Sequence, residues 1–483
     1  MELDVNAAPP LDERLAQQPA VLAARAGLAE QPGVWIVGGA LRDAFLAPAP
    51  VTDLDLVVSA EAAASARAIA RAVQRPAFPL SEQFGAWRVV GDGWLCDVTP
   101  MQGDLIEDDL AQRDFTVNAM ALPLFGGQLV DPVHGRRDLE RHTLRLVAPD
   151  AYERDRLRPL RLIRFATELA FDVEPETAEA TREWGPRVTE AAGERIFAEL
   201  RRIVASSRAP EGLRLAAELR VLHAVLPELD DLRGIEQSQF HHLDVYDHTI
   251  EVLRSLEQID SNLGQYFPDD AAELRQVLDE PLGDELTRAQ ALRFAALLHD
   301  IGKARTRSFT DTGRVTFIGH DSLGADMVRN ICKRLRTSER VREFLALITR
   351  HHLVLGFLVH QRPLSRRVIY RYLKLCSPVE VEVTLLTCAD RIATRGKNAE
   401  AAIEAHLGLA RELMSAALRW RREGPPRAPL RGDELAAQLG IKPGPDLGRL
   451  LAELEEASYA GEVTSADQAV EYARRLRENP VER

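Results

Sequence analysis

From Val34 to about residue 146 the apolar positions come in short runs broken by glycine, the rhythm of a mixed α/β fold. Val34-Trp35-Ile36-Val37 reads as a strand, Gly38-Gly39 as a turn, and a short helix opens near Ala40. A second strand is predicted over Leu54 to Val58, and the Ala- and Arg-rich stretch Glu61 to Gln74 predicts a helix. Ala86 to Val90 and Trp94 to Thr99 flank Gly91-Asp92-Gly93, a hairpin signal. After residue 150 the pattern predicts helices only. In Arg195 to Ser206, for instance, Ile196, Phe197, Leu200, Ile203 and Val204 recur at helical spacing. Gly264 to Leu286 and Gly424 to Leu430 read as loops or linkers.

With 483 residues and 53.7 kDa the chain is too long for a single core, and roughly three or four domains are expected. Its 46% hydrophobic and 28% charged residues are those of a soluble globular protein. No apolar run is long enough for a membrane span, and Glu2 and Asp4 argue against a secretory signal. Cys96, Cys332, Cys376 and Cys388 lie far apart, which speaks against a disulfide framework or a structural zinc site. A cytoplasmic location is the expectation. The net charge of −13 does not exclude nucleic acid, because phosphate contacts depend on local patches. Residues 134–164 hold nine arginines against five acids, whereas residues 269–286 hold seven acids and one arginine.

Two constellations carry chemistry. Gly38 and Gly39 before a helix N-terminus let backbone amides approach a phosphate, and Arg42 would add a charge-assisted contact. On a strand, Asp53 and Asp55 share one face while Leu54 and Leu56 enter the core. Two carboxylates roughly 6.5–7 Å apart repel unless cations sit between them, which suits two Mg²⁺ ions. Asp97, on the second strand of the hairpin, is a candidate third carboxylate, although a lone strand aspartate is as often simply solvated.

Gly38 to Asp43, Asp53-Leu54-Asp55 and Arg113-Asp114-Phe115-Thr116-Val117-Asn118-Ala119-Met120 resemble the class II tRNA nucleotidyltransferase and bacterial poly(A) polymerase family. The likeness continues in order through Asp131-Pro132, Asp155-Arg156-Leu157-Arg158, Arg161, Arg164-Phe165 and Glu194-Arg195-Ile196. The resemblance implies an α+β protein, with a small α/β nucleotidyltransferase head around a mixed sheet and then an all-helical neck, body and tail. It implies metal binding by Asp53 and Asp55, and contacts from Arg113, Asp114 and Asn118 to the ribose and triphosphate. Asp155 and Arg158 would form a template that reads the base of CTP or ATP; an i, i+3 pair on a helix shares a face. Arg161 and Arg164 join the nucleotide-binding set on the same grounds.

The sequence departs from the family in three places. Arg154 stands where Glu is usual, Pro159 follows Arg158, and only fifteen residues, Val98 to Gln112, separate Asp97 from Arg113. Members that add all three nucleotides usually have a longer arm here, so the shortening resembles members that add only the two cytidines. Gln112 also replaces the first of two arginines usual in that motif.

The second constellation is His299-Asp300 at the end of an apolar helix, with His248 upstream and Asp390 downstream. This ordered set resembles the HD metal-dependent phosphohydrolase superfamily. His320, His351 and His352 offer further ligands, although for His351-His352 one buried and one exposed helix histidine is an equal reading. Mixed imidazole and carboxylate ligands suit Mn²⁺, Ni²⁺, Co²⁺ or Fe²⁺ better than Mg²⁺. A metal there would activate water against phosphomonoesters or 2′,3′-cyclic phosphates.

The expected organisation is a leader over 1–25, the head over 26–150, a neck and body over 151–235 for base reading and RNA binding, the HD domain over 236–400 and a helical tail over 401–483. The expected function is addition of CCA, or only CC, to the tRNA 3′ end from CTP and ATP, with the tRNA acceptor arm as partner. The alternatives are a poly(A) polymerase, and an HD phosphohydrolase whose head merely binds nucleotide.

Overall fold

The computed structural model describes residues 11–478 apart from 30, 48–49, 82–84, 238–242 and 396–398. Residues 1–10 of the expected leader therefore lie outside the described residues; its remainder forms helices Leu11–Ala16 and Pro19–Gly27. The chain divides into two compact units, residues 1–199 with 211–225, and residues 200–210 with 226–483.

The first unit is built on a six-stranded mixed sheet of β1 (Val34–Val37), β2 (Asp53–Val58), β3 (Ala77–Ser81), β4 (Ala86–Val90), β5 (Leu95–Pro100) and β6 (Ala121–Pro123). The strand order is β3-β4-β5-β2-β1-β6. β2 sits centrally, parallel to β5 and antiparallel to β1. Its pattern explains the position: Leu54, Leu56, Val57 and Val58 are at most 1% exposed, which suits a strand covered on both sides beyond its first residues. β3 was not legible in the sequence, because this edge strand holds Pro79 and leaves Phe78 and Leu80 exposed. Helix α1 (Gly39–Leu46) follows β1 directly, and α2 (Ala62–Val73) buries Ala66 and Ile69. Two more helices flank the site: α3 (Ile106–Ala111), and α4 (Arg158–Leu169), which begins the helical part of the unit.

In the second unit, α5 (Val245–Ser261), α6 (Arg288–Leu298), α7 (His320–Arg334), α8 (Glu339–His351), α9 (Val354–Leu358), α10 (Glu380–Ala393) and α11 (Ala399–Glu423) carry the residues that matter below. Helices beyond residue 424 bury a small core of their own, including Leu435, Leu454 and Ala469.

Two expectations need correction. Strands do not stop at residue 150: short pairs join Thr143–Leu144 to Asp172–Val173, Pro281–Gly283 to Leu286–Thr287, and Ser308–Phe309 to Val315–Thr316. Two- and three-residue pairs are too short to show alternation. The expected loop Gly264 to Leu286 contains helix Ala271–Asp279, whose Leu274, Val277 and Leu278 are buried at i, i+3, i+4 spacing among acidic neighbours.

One close approach positions the site. The 3₁₀ turn Thr116–Asn118 is held by Thr116 Oγ1 donating to Asp138 Oδ2 at 2.6 Å, and a Cβ at Gly135 would stand 2.1 Å from the Thr116 carbonyl oxygen. Gly135→Ala should therefore displace this turn, lowering stability by about 1–3 kcal/mol and nucleotide incorporation with it. Thermal unfolding beside an incorporation assay checks this, and an unchanged protein would show the turn to be plastic.

Candidate active site and metal centre

Asp53, Asp55 and Asp97 come together on one face of the sheet. β2 and β5 pair in parallel with Asp55 opposite Asp97, so both side chains leave the same side. Asp53 lies two residues along and is exposed. β1 brings the glycines: a Cβ on Gly38, whose φ is +66°, would stand 3.1 Å from Asp55 Oδ2 and 3.2 Å from Arg113 Nη1. Only a bare backbone lets these three groups meet. Burial pushes the Asp55 carboxyl up to about 6; Asp97 and Asp53 add to the rise, and Arg113 and the Gly39 N–H oppose it. A carboxylate so placed gains from a dication. Asp97 already has a cation of its own, since Arg88 on β4 forks both its oxygens at 2.7 Å. Sequence reading missed Arg88; its signal was the hairpin register, which sets it opposite Asp97.

Behind the glycines runs a buried polar chain. Arg42 donates from Nη1 to Asn118 Oδ1 at 2.9 Å, and Asn118 donates to Asp114 Oδ1 at 3.0 Å. Arg161 on α4 forks Asp114 Oδ2 at 2.8 and 2.6 Å, and the Phe115 N–H donates to Oδ1. Burial alone would raise the Asp114 carboxyl, but Arg161 and Asn118 outweigh it and hold it well below the usual carboxylate range. Asp114 and Asn118 thus spend their polar atoms on this chain, which ties α1, the 3₁₀ turn and α4 together. Arg113 donates from Nε and Nη2 to Asp109 on α3, at 3.2 and 3.0 Å.

The structure alters two expectations. Asp155 and Arg158 do not share a helical face: Asp155 has an extended backbone after helix Ala151–Arg154, and Arg158 opens α4. Pro159 has no N–H to give and fits the first turn, so the helix starts there. Asp155 accepts from the Leu157 N–H at 3.0 Å and from Arg195 at 2.8 Å. Arg158 donates to the carbonyls of Gln112, Arg113 and Ala151. Arg164 is not brought to the cradle; it is 4% exposed, pairs with Glu199 and Glu168, and lies over the Phe165 ring.

In the second unit six ligand-type residues converge from five helices and their ends. His248 on α5, His299 at the end of α6 and Asp390 on α10 form one group; Asp300, His320 at the start of α7 and His352 at the end of α8 form another. In each group the candidate ligand atoms lie within 4.8 Å of one another. Of these residues only Asp390 is more than marginally exposed. His351, by contrast, stays outside both groups.

Tautomers follow from the backbone. His299, His320 and His352 each donate Nδ1–H to the carbonyl three residues earlier, at 2.8, 2.7 and 2.7 Å. Their Nε2 atoms therefore turn inward as acceptors. His320 Nε2 and His352 Nε2 face each other at 3.3 Å. His299 Nε2 lies 3.2 Å from Asp300 Oδ2 yet lacks hydrogen-bond geometry to any partner. Burial would lower His299, but Asp300 outweighs it and raises the ring, while burial lowers His352. Lone pairs and carboxylates pointed at one another fit a transition-metal centre. Lys303 Nζ lies 2.7 Å from Asp300 Oδ2 and brings a positive charge to the cluster.

A poly A polymerase head domain matches residues 99–145, a probable RNA and SrmB-binding site of polymerase A matches 170–232, and an HD domain matches 245–395. The A-adding tRNA nucleotidyltransferase of Deinococcus radiodurans is 37% identical, covering 92% of this chain and 96% of that protein. The chain belongs to the tRNA nucleotidyltransferase family. A second member, the CC-adding tRNA nucleotidyltransferase of Thermus thermophilus, is 33% identical over 90% of this chain and 91% of its own length. The structure of the Thermotoga maritima CCA-adding enzyme complexed with tRNA shares the fold, with a TM-score of 0.59 at 18% identity over 97% of this chain and 98% of that one. This nucleotidyltransferase is an α+β enzyme, and its fold implies dependence on a divalent metal.

The raised Asp55 carboxyl sets a pH dependence. Its value in the fold lies above that of an unfolded chain, so the metal-free head loses stability as pH rises from about 4 to 6, and a bound dication reverses the loss. A cation must displace the Asp55 proton below pH 6. The Mg²⁺ concentration for half-maximal incorporation should therefore rise about tenfold per pH unit there. A Mg²⁺ requirement flat between pH 5 and 6 would contradict this.

Proposed function

We propose that this enzyme extends the 3′ end of tRNA with part of the terminal CCA rather than all of it. The observation that carries the polymerising role is the meeting of Asp53, Asp55, Gly38 and Arg113 where β1 ends and β2 begins, in the middle of the sheet. The tRNA 3′-oxygen forms a bond to the α-phosphorus of CTP or ATP, the bond to the β-phosphate oxygen breaks, pyrophosphate leaves, and the hydroxyl proton is lost. Asp53 and Asp55 would hold Mg²⁺, which supplies charge neutralisation at the reacting phosphate. The Gly38-Gly39 backbone and the α1 N-terminus offer N–H groups to the triphosphate, and Arg113 stands beside them. Positioning and charge do most of the work. The tRNA acceptor arm would meet the arginines that follow residue 134, and the cytoplasm is the matching location; among the described residues no helix is long and apolar enough to cross a membrane.

Partial addition is supported by the segment Val98 to Gln112. Its helix α3 ends under Arg154 and Arg158, which donate to the carbonyls of Ala111 and Gln112 at 2.7 and 2.6 Å. A clamped segment suits one fixed choice of base. The Deinococcus radiodurans and Thermus thermophilus relatives, each matched over nine-tenths or more of both chains, are named for single-type addition as well. Neither is a poly(A) polymerase. The enzyme should add C to tRNA lacking its terminus, or A to tRNA ending in CC, but not both; labelled incorporation from each triphosphate reads this out. Complete CCA on the bare tRNA would overturn partial addition. Asp53→Ala or Asp55→Ala should reduce incorporation by roughly a thousandfold or more, and retained activity would dismiss the metal role.

A second reading concerns the HD cluster. Six converging ligands with inward Nε2 atoms favour a centre that holds Mn²⁺, Ni²⁺, Co²⁺ or Fe²⁺ and hydrolyses phosphoesters, water replacing the alcohol on phosphorus. The double change His299→Ala and Asp300→Ala should abolish metal-dependent phosphate release and spare nucleotide addition. Loss of both activities would mark the cluster as structural.

A further inference from the structure

Beside the HD cluster lies a cavity of about 610 Å³. Asp300, His320, His352 and Asp390 form its metal-ligating wall. The facing wall is mostly apolar: Leu353, Gly356 and Val359 from α9 and its end, with His360 beside them, and Ala402 and Ala405 from α11. The volume falls within the range of pockets that enclose small organic ligands, and is far more than a bare phosphate needs.

Two cations line the space, and they differ in state. Lys303 is engaged, its ammonium lying 2.7 Å from Asp300 Oδ2 and 2.7 Å from Gln237 Oε1. Arg391 on α10, next to the ligand Asp390, has no carboxylate partner among the described residues, and its Nε is buried without a hydrogen bond. The His406 Nε2 on α11, lining the same cavity, is also buried without one, and the residue is 6% exposed. Arg391 is half-buried, so part of its guanidinium faces the cavity while the Nε–H, withdrawn from water, lacks an acceptor; an anion would complete it, and the planar fork matches two phosphate oxygens.

We propose that Arg391 is the phosphate-recognition residue of this cavity, and that the apolar wall receives the organic body of a phosphomonoester up to nucleoside size. The proposal rests on the reading of the cluster as a metal centre. It excludes inorganic pyrophosphate as the preferred ligand, because the apolar wall would then face water. Gly356 tests the body half independently: it lines the cavity, and a Cβ there would meet nothing within 4 Å, so a larger side chain at this position does not collide with the fold.

The experiment uses the full chain loaded with Mn²⁺ and 4-nitrophenyl phosphate, a phosphomonoester with no use for the triphosphate site, following both binding by calorimetry and release of nitrophenol. Arg391→Ala should weaken binding and raise KM roughly tenfold or more, with Mn²⁺ content, kcat within a few-fold and tRNA nucleotide addition retained; Arg391→Lys should recover part of the loss. Gly356→Leu should weaken 4-nitrophenyl phosphate while leaving binding of inorganic phosphate unchanged. Binding that depends on Arg391 without any nitrophenol release would end the hydrolytic reading and keep this one. Release with an unaltered KM in Arg391→Ala would do the reverse. Wild-type protein that binds no 4-nitrophenyl phosphate, or a Gly356→Leu variant that binds it normally, overturns the proposal.

Discussion

The Asp55 carboxylate stands on the central strand of the sheet, with Asp97 opposite, Asp53 two residues along and the Gly38 backbone in contact. Burial and like charge together raise its free energy in the ionised state. Everything around it serves that placement. Leu54, Leu56, Val57 and Val58 anchor the strand in the core, the bare glycine lets Arg113 approach, and the Arg42, Asn118, Asp114 and Arg161 chain fixes the helices that frame the cradle. An arrangement that is unfavourable by itself and favourable with cations is what phosphoryl chemistry requires.

The HD cluster obeys the same logic with different donors. Backbone carbonyls take the Nδ1 protons of three histidines, so the rings must present lone pairs to one another and to Asp300. Here too the protein gathers buried donors that a metal would satisfy. Imidazole donors instead of carboxylates alone shift the preference from Mg²⁺ toward transition metals. The chain thus carries a nucleotidyltransferase head in one compact unit and, in the other, a cluster of imidazoles and carboxylates whose donors suit a transition metal.

Arginines do three kinds of work in these units. Arg161 and Arg164 compensate buried acids and hold helices together. Arg154 and Arg158 cap carbonyls at the end of α3 and so fix the segment leading into Arg113. Arg88 neutralises a carboxylate that would otherwise compete with Asp55 for cations. A count of positive charges between residues 134 and 164 could locate the basic region but could not sort these roles.

The sequence by itself determined the α/β head, the strand that displays Asp53 and Asp55, the glycine turn beside it and the four residues His248, His299, Asp300 and Asp390. Strand alternation, turn chemistry and motif order are local properties, written in neighbouring residues. Only the tertiary structure decided which arginines reach the cradle and that His320 and His352, but not His351, join the metal cluster. It likewise decided that Asp155 and Arg158 leave the shared helical face the spacing implied, and that Arg391 stands on a cavity wall with no carboxylate partner among the described residues. Those outcomes depend on which partner lies across the space between elements distant in sequence, and no pattern along the chain records that distance.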